Sequence, residues 1–573
     1  MTKYNGYELN YSIEELTKMT TDEMINVTLL STESDAYKNL QEGDKKALKH
    51  LVQASKILNN VSLEQDHPLN IAQKKALEEA SKAGDEHATL ALKLFNSLNG
   101  LAGLNGIDDK PITIFKGLTT SIGKNFYPQD LSIEEFHEIL LNMFKQGNIS
   151  EIKKILSSRT IVRRENDSLK AIDYTEYFAK EFSEMANEIE VAAHYCTTPL
   201  FKEFLSWQAQ ALLQNNEDMD MLADKHWAMM QDTPLEFTIS RENYNDEMTS
   251  TVLENAELAQ LIEKHKIEVV AKDMLGARVG IINKEGTELL LQFKDIMPKL
   301  SSKMPFADKY EQTISANAEA KQTMVDADLV SLTGDYAQCR GGMTVAQNLP
   351  NNDKLALKTG GGRKNVYHRQ VRLSDDPTRT QKMLDAFLHK DFHKYYDKEA
   401  DHVFVIGHEN GHSLGPKSEY QNSPGICKSI IEENKADTVS ISFMPEYVKH
   451  GVITEERLKQ IYTTWIFRLL LRAKPVFPTE TYKLVDLIEF NTLLKHNALY
   501  FDDNKLLHIN FEKISPAMYE LLSEVIDIQL SKSPKKAREF IEKNTTWNEL
   551  HEYIAQTHKK LGLKKYKNIV SFF

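Results

Sequence analysis

Between Pro234 and Arg372 the helical periodicity that fills the rest of the chain breaks off. On the N-terminal side, Leu90, Leu94, Phe95 and Leu98 recur at helical spacing, as do Ile139, Leu140, Met143 and Phe144. Inside the interruption, Leu235-Glu236-Phe237-Thr238-Ile239 alternates like a strand. Arg278-Val279-Gly280-Ile281-Ile282 reads as another, followed by a turn at Asn283-Lys284-Glu285-Gly286. The segment from Leu329 to Arg372 is rich in Gly, Asn and Pro and reads as strands and loops. After Asp376 helix resumes to the end, apart from a strand near Leu507-His508-Ile509-Asn510. A mostly α chain with a smaller β component (α+β) is therefore expected. Its 573 residues exceed what one hydrophobic core supports, so two lobes are expected around a wide cleft.

Composition narrows the partners. The chain is 41% hydrophobic and 27% charged, with net charge -13, so there is no basic footprint for nucleic acid. The Lys-rich runs Lys532-Ser533-Pro534-Lys535-Lys536 and His558-Lys559-Lys560 read as solvated helix ends. Cys196, Cys339 and Cys427 are widely spaced and form no CxxC pair, which argues against a disulfide framework and for free thiols in a reducing compartment. The first thirty residues lack an apolar signal core. The longest apolar run, around Trp465 to Leu471, is broken by Arg468 and Arg472. A cytoplasmic protein without a membrane partner is expected.

One segment carries chemistry. In His408-Glu409-Asn410-Gly411-His412 the two histidines stand four apart, so on a helix they share a face and can reach one ion. Glu409 is one step round and can meet a metal-polarised water without being a ligand. A catalytic zinc takes three protein ligands and keeps a position open, and Glu433 on the next helix supplies the third. Ser423-Pro424 is expected to start that helix, and Gly415-Pro416 to stop the first. Asp437, one turn beyond Glu433, can accept the second N–H of a ligand histidine. Val403-Phe404-Val405-Ile406 would bury the His-bearing helix. Asn410-Gly411 are poor helix formers, and metal ligation is the reason offered for a helix there. Thr359-Gly360-Gly361-Gly362-Arg363-Lys364 lacks Walker spacing and reads as a connection.

These motifs resemble the dipeptidyl peptidase III family of zinc exopeptidases, and in particular its shorter bacterial and plant-like members. His408-Glu409-Asn410-Gly411-His412-Ser413-Leu414-Gly415-Pro416 is similar to the family's HExxH segment, whereas animal and fungal members carry one extra residue between the histidines. Glu432-Glu433-Asn434-Lys435-Ala436-Asp437 is similar to its second motif, and this implies Glu433, not Glu432, as the ligand. Gln347-Asn348-Leu349-Pro350-Asn351-Asn352-Asp353 resembles a peptide-gripping strand, which implies Asn348 and Asn351 as substrate contacts. Arg241-Glu242-Asn243-Tyr244 resembles a Glu-x-Tyr segment, which would aim Tyr244 at the scissile carbonyl. At the family's transition-state histidine this chain has Glu480-Thr481-Tyr482, a tyrosine instead, which can still donate a hydrogen bond. The likeness covers scattered blocks between about residues 200 and 550.

The resemblance implies a zinc peptidase that releases dipeptides from the N-termini of short peptides. One Zn2+ would be held by His408, His412 and Glu433, with Glu409 as base, Asp437 behind the ligands, and Tyr244 and Tyr482 at the oxyanion. It also goes with an N-terminal lobe of residues 1–275 and 331–375, and a helical zinc-binding lobe of residues 276–330 and 376–573. Two other readings fit the residues: a zinc hydrolase of non-peptide amides or esters, and a peptide-binding protein with a vestigial zinc site.

Overall fold

The computed structural model describes residues 3–105, 110–242, 246–312, 323–335, 346–349, 364–373, 376–421, 424–475, 481–562 and 566–573. Near the N-terminus a short strand, Met24–Thr28 (β1), precedes the long helix Glu42–Asp66 (α1). The helices Ala179–Tyr195 (α2) and Pro199–Gln214 (α3) follow. Apolar residues at helical spacing along α1, such as Leu48, Leu51, Val52 and Leu58, are fully buried. They pack with Ile189 of α2 and Leu205 of α3 in one core. The helical reading of this third is correct in outline but omits the short strands Ala102–Leu104 with Pro111–Thr113, and Thr160–Glu165 with Ser168–Asp173.

The interruption in periodicity is a five-stranded sheet. Its strands are Leu235–Glu242 (β2), Met274–Asn283 (β3), Thr323–Gly334 (β4), Ala346–Leu349 (β5) and Lys364–His368 (β6). The spatial order is β5-β6-β4-β3-β2, antiparallel except for the β4–β6 pair. β3 and β4 are buried along almost their whole length, as strands covered on both faces are. The expected turn at Asn283–Gly286 is instead a helix start: the Asn283 side chain accepts from the Gly286 N–H at 2.8 Å and caps Lys284–Ser301 (α4). An Asx cap and an Asx turn use the same residues, and the apolar positions beyond, Leu290, Phe293 and Met297, decide for the helix. Thr359 to Arg363 lie outside the described residues; Lys364 is the first residue of β6, buried against Glu236 at 2.8 Å.

From Asp376 onward the chain is nearly all helix: Lys390–His393 (α5), Lys398–His412 (α6), Lys428–Lys449 (α7), Glu455–Arg472 (α8), Thr481–Lys495 (α9) and Phe511–Ser531 (α10). The hairpin Leu499–Phe501 (β7) with Leu507–Ile509 (β8) sits between α9 and α10. These helices share a second core centred on fully buried Trp465, to which α4 contributes Leu290, Phe293 and Met297. β3 and β4 side chains such as Val279 and Val330 lie in the first core, and two smaller clusters, one with Phe95 and one with Leu329, stand apart from both. A last strand, Tyr566–Val570 (β9), pairs parallel with β1, so the chain ends on its own beginning. No helix among the described residues is long and apolar enough to cross a membrane.

Candidate metal centre

Two helices build the site, and glycine sets their distance. Asp397 caps α6 by accepting from the Glu399 N–H at 3.0 Å, and Gly415, with φ 94°, turns the chain away beyond its end. Gly407 and Gly411, four apart, lie against α7. A Cβ at Gly411 would fall 2.7 Å from the Ala436 carbonyl oxygen, and one at Gly407 would overlap Ser440. The glycine in the motif is thus explained by close packing of α6 on α7, a reason for Gly411 besides the metal ligation expected from the sequence. α7 also starts later than expected, at Lys428 after a 3-10 turn from Gly425 to Cys427; Ser423 lies outside the described residues.

This packing brings His408, His412 and Glu433 together. His408 Nε2 lies 3.2 Å from His412 Nε2 and 3.4 Å from Glu433 Oε2, and His412 Nε2 lies 3.8 Å from that same oxygen. Zinc bonds of about 2.0–2.1 Å in a tetrahedral site place ligand atoms about 3.3–3.4 Å apart, so the donor triangle has the size and chemistry of a three-ligand zinc site. Glu433 Oε2 is buried and accepts no hydrogen bond among the described residues, an orphan that a cation would satisfy.

Both histidines present Nε2 because a carboxylate holds each Nδ1. Asp437 Oδ1 is hydrogen-bonded to His408 Nδ1, and Glu432 Oε1 lies 3.1 Å from His412 Nδ1. Protons on Nδ1 leave both Nε2 lone pairs facing inward. Glu432 is itself fixed by Lys435 at 2.8 Å and by Gln529 of α10 at 2.9 Å. Behind Asp437 stand Arg468, at 3.7 Å, and Glu489, whose ligand-capable oxygen is within 4.8 Å of Asp437.

The charges make the point of convergence a place that demands positive charge. Burial pushes the His408 imidazole down, but the Asp437 and Glu433 carboxylates outweigh it and hold it well above the usual histidine value. Burial likewise pushes Glu432 and Glu433 up, and Lys435 with His412, and the two imidazoles, respectively, hold them below the usual carboxylate range. Glu489 goes the other way: burial first, then the charges of Asp437 and Asp486, raise it well above that range. A divalent cation meets the same demand as the proton on His408.

Glu409 is half-buried on α6, and its carboxylate makes no hydrogen bond or ion pair among the described residues. Tyr482, at the start of α9, is 53% exposed. Desolvation, then the negative charges of Glu433, Glu409 and Asp437, raise its hydroxyl well above the usual phenol value, and the Arg472 guanidinium lies 5.9 Å from its ring centre. Tyr244 and Asn351 lie outside the described residues. Asn348 stands on β5 opposite Asn365, and its side chain is not described. The sequence reading gave no role to Glu432, Gln529 or Glu489. A signal for Glu432 existed: two ligand histidines need two acceptors, and Asp437 supplies one.

No family model matches the chain. A curated relative, Nudix hydrolase 3 of Arabidopsis thaliana, is 23% identical over an alignment 541 residues long that covers 86% of this chain. The chain spans 66% of that relative's own length. Among solved structures, dipeptidyl peptidase III from Caldithrix abyssi superposes with a TM-score of 0.77 at 22% identity, covering 97% of this chain and 98% of that one. Dipeptidyl peptidase III from Corallococcus sp. strain EGB gives 0.69 at 18%, covering 97% and 96%. Over nearly its whole length, then, this chain has the two-lobed fold of dipeptidyl peptidase III.

Proposed function

We propose that the protein is a zinc-dependent peptidase that releases dipeptides from the N-termini of short peptides. The observation that carries this reading is the convergence of His408 Nε2, His412 Nε2 and Glu433 Oε2 within 3.8 Å, with a carboxylate on each Nδ1 and with Glu409 next to His408 on α6. The fold likeness supports the peptidase class, and the motifs support the exopeptidase reading.

His408, His412 and Glu433 would hold the ion, with Asp437 and Glu432 orienting the imidazoles. Bound there, zinc would supply Lewis acidity for a peptide carbonyl and for water, whose pKa it would lower towards neutrality. Glu409 takes a proton from the attacking water at its carboxylate. As the oxygen–carbon bond forms and the carbon–nitrogen bond breaks, Glu409 delivers that proton to the leaving amine. Tyr482, kept protonated by its neighbours, donates a hydrogen bond to the carbonyl oxygen as it gains negative charge. Tyr244, Asn348 and Asn351 enter on motif likeness, the first at the oxyanion and the others on the substrate backbone.

The test is product analysis by mass spectrometry. Zinc-loaded protein is incubated with a short peptide bearing a free N-terminus. Release of the N-terminal dipeptide, abolished by a chelator, is expected. Failure to cleave, or cleavage only at internal bonds, would overturn the reading.

A further inference from the structure

We propose a second site for a divalent transition metal, formed by His389, His508 and Asp502 where the chain entering α5 meets the β7–β8 hairpin. Asp502 and His508 come from the hairpin and His389 from the chain entering α5, and one ligand-capable atom from each lies within 4.8 Å of the other two. Two imidazoles and a carboxylate suit Zn2+, Co2+ or Ni2+. None of them belongs to the first centre, so the inference stands independently of the proposed reaction.

Each donor is held by its own anchor. Asp502 Oδ1 accepts from the Leu506 N–H at 2.9 Å in the hairpin turn, which leaves Oδ2 facing His508 Nε2 at 3.2 Å. That spacing is already the one two ligands of a single ion need, about 3.3 Å. His508 lies on β8 opposite Tyr500, whose ring stacks on it at 4.7 Å. His389 is pinned to the hairpin through its backbone, its N–H donating to the Leu507 carbonyl at 3.0 Å. Its ring lies 4.3 Å from that of His508.

The nitrogen of His389 left for an ion is Nε2. Its Nδ1 accepts from the Asp391 N–H at 3.4 Å, as the cap of α5, and lies 3.5 Å from Asp391 Oδ2. An ion at Nε2 displaces the proton there to Nδ1, where Asp391 Oδ2 receives it in place of the cap bond, as in carboxylate–histidine–metal arrangements. All three donors are half-buried, so an ion reaches them from solvent. A bound ion would tie the approach to α5 to the hairpin more than a hundred residues later.

The experiment is equilibrium dialysis of the full chain against Zn2+, with stoichiometry read by a chromogenic chelator. Wild type should hold two equivalents, the tighter in the first centre. The double variant His389→Gln/His508→Gln, and separately Asp502→Asn, should hold one equivalent and keep wild-type peptide turnover. Glu433→Gln should lose the other equivalent. Failure of Glu433→Gln to lose an ion would count against the first centre only. One equivalent in wild type, or two in both the double variant and Asp502→Asn, would overturn the second site.

Discussion

Glu432 and Glu433 are adjacent, yet a helix turns them about 100° apart, and they do different work. Glu433 points its Oε2 at both Nε2 atoms, whereas Glu432 faces His412 Nδ1. Glu433→Ala should abolish stoichiometric zinc in the first centre. Glu432→Ala should lower zinc affinity by about 10–100-fold, the effect of losing an orienting carboxylate, with metal titration as the measure. Glu409→Gln should leave zinc binding intact and cut kcat by on the order of 10²–10⁴-fold. A titration far from the site gives a pH test. Burial, then Arg379 and Lys474, push the His558 imidazole down to about 4. The folded state therefore stays unprotonated where the unfolded chain takes up a proton at about 6.5. The stability this residue confers is complete above pH 6.5 and is lost as pH falls through about 4. Thermal melts across that window should show a shallower decline for His558→Gln than for wild type.

At the scale of elements, the contact of α6 with α7 decides the site. Gly411→Ala raises helix propensity by about 1 kcal/mol, yet it puts a methyl 2.7 Å from the Ala436 carbonyl oxygen. Overpacking of this kind costs about 1–3 kcal/mol. The variant should melt lower than wild type and bind zinc more weakly, because separating the helices separates Glu433 from the imidazoles. The HExxH spacing, the acid on the following helix and the stop at Gly415 were legible because each is a local rule. The reason for Gly411 was not, because it lies on another helix. The start of α7 was misplaced for a similar reason: Pro424 leads into a 3-10 turn before the α-helix proper.

Across the whole molecule, the sheet and the two helical regions were readable from periodicity, and the closure of the chain on itself was not. Tyr566–Val570 has little alternation, and it becomes a strand because β1 offers an edge 542 residues away in sequence at Asn26 and Asn568. Tyr566 is buried there, and the Phe573 ring meets Tyr37 at 5.4 Å. Removing residues 566–573 should lower the melting temperature by several degrees and expose Met24–Thr28 to proteolysis, while leaving zinc content unchanged. The short hairpins of the N-terminal third escaped reading because two- to six-residue strands carry too little pattern.

Anomalous diffraction at the zinc edge from crystals of the zinc-loaded protein addresses the central claim without any assay. A peak within bonding distance of His408 Nε2, His412 Nε2 and Glu433 Oε2 is predicted. Density maps with those three side chains in place and no anomalous peak among them would contradict it.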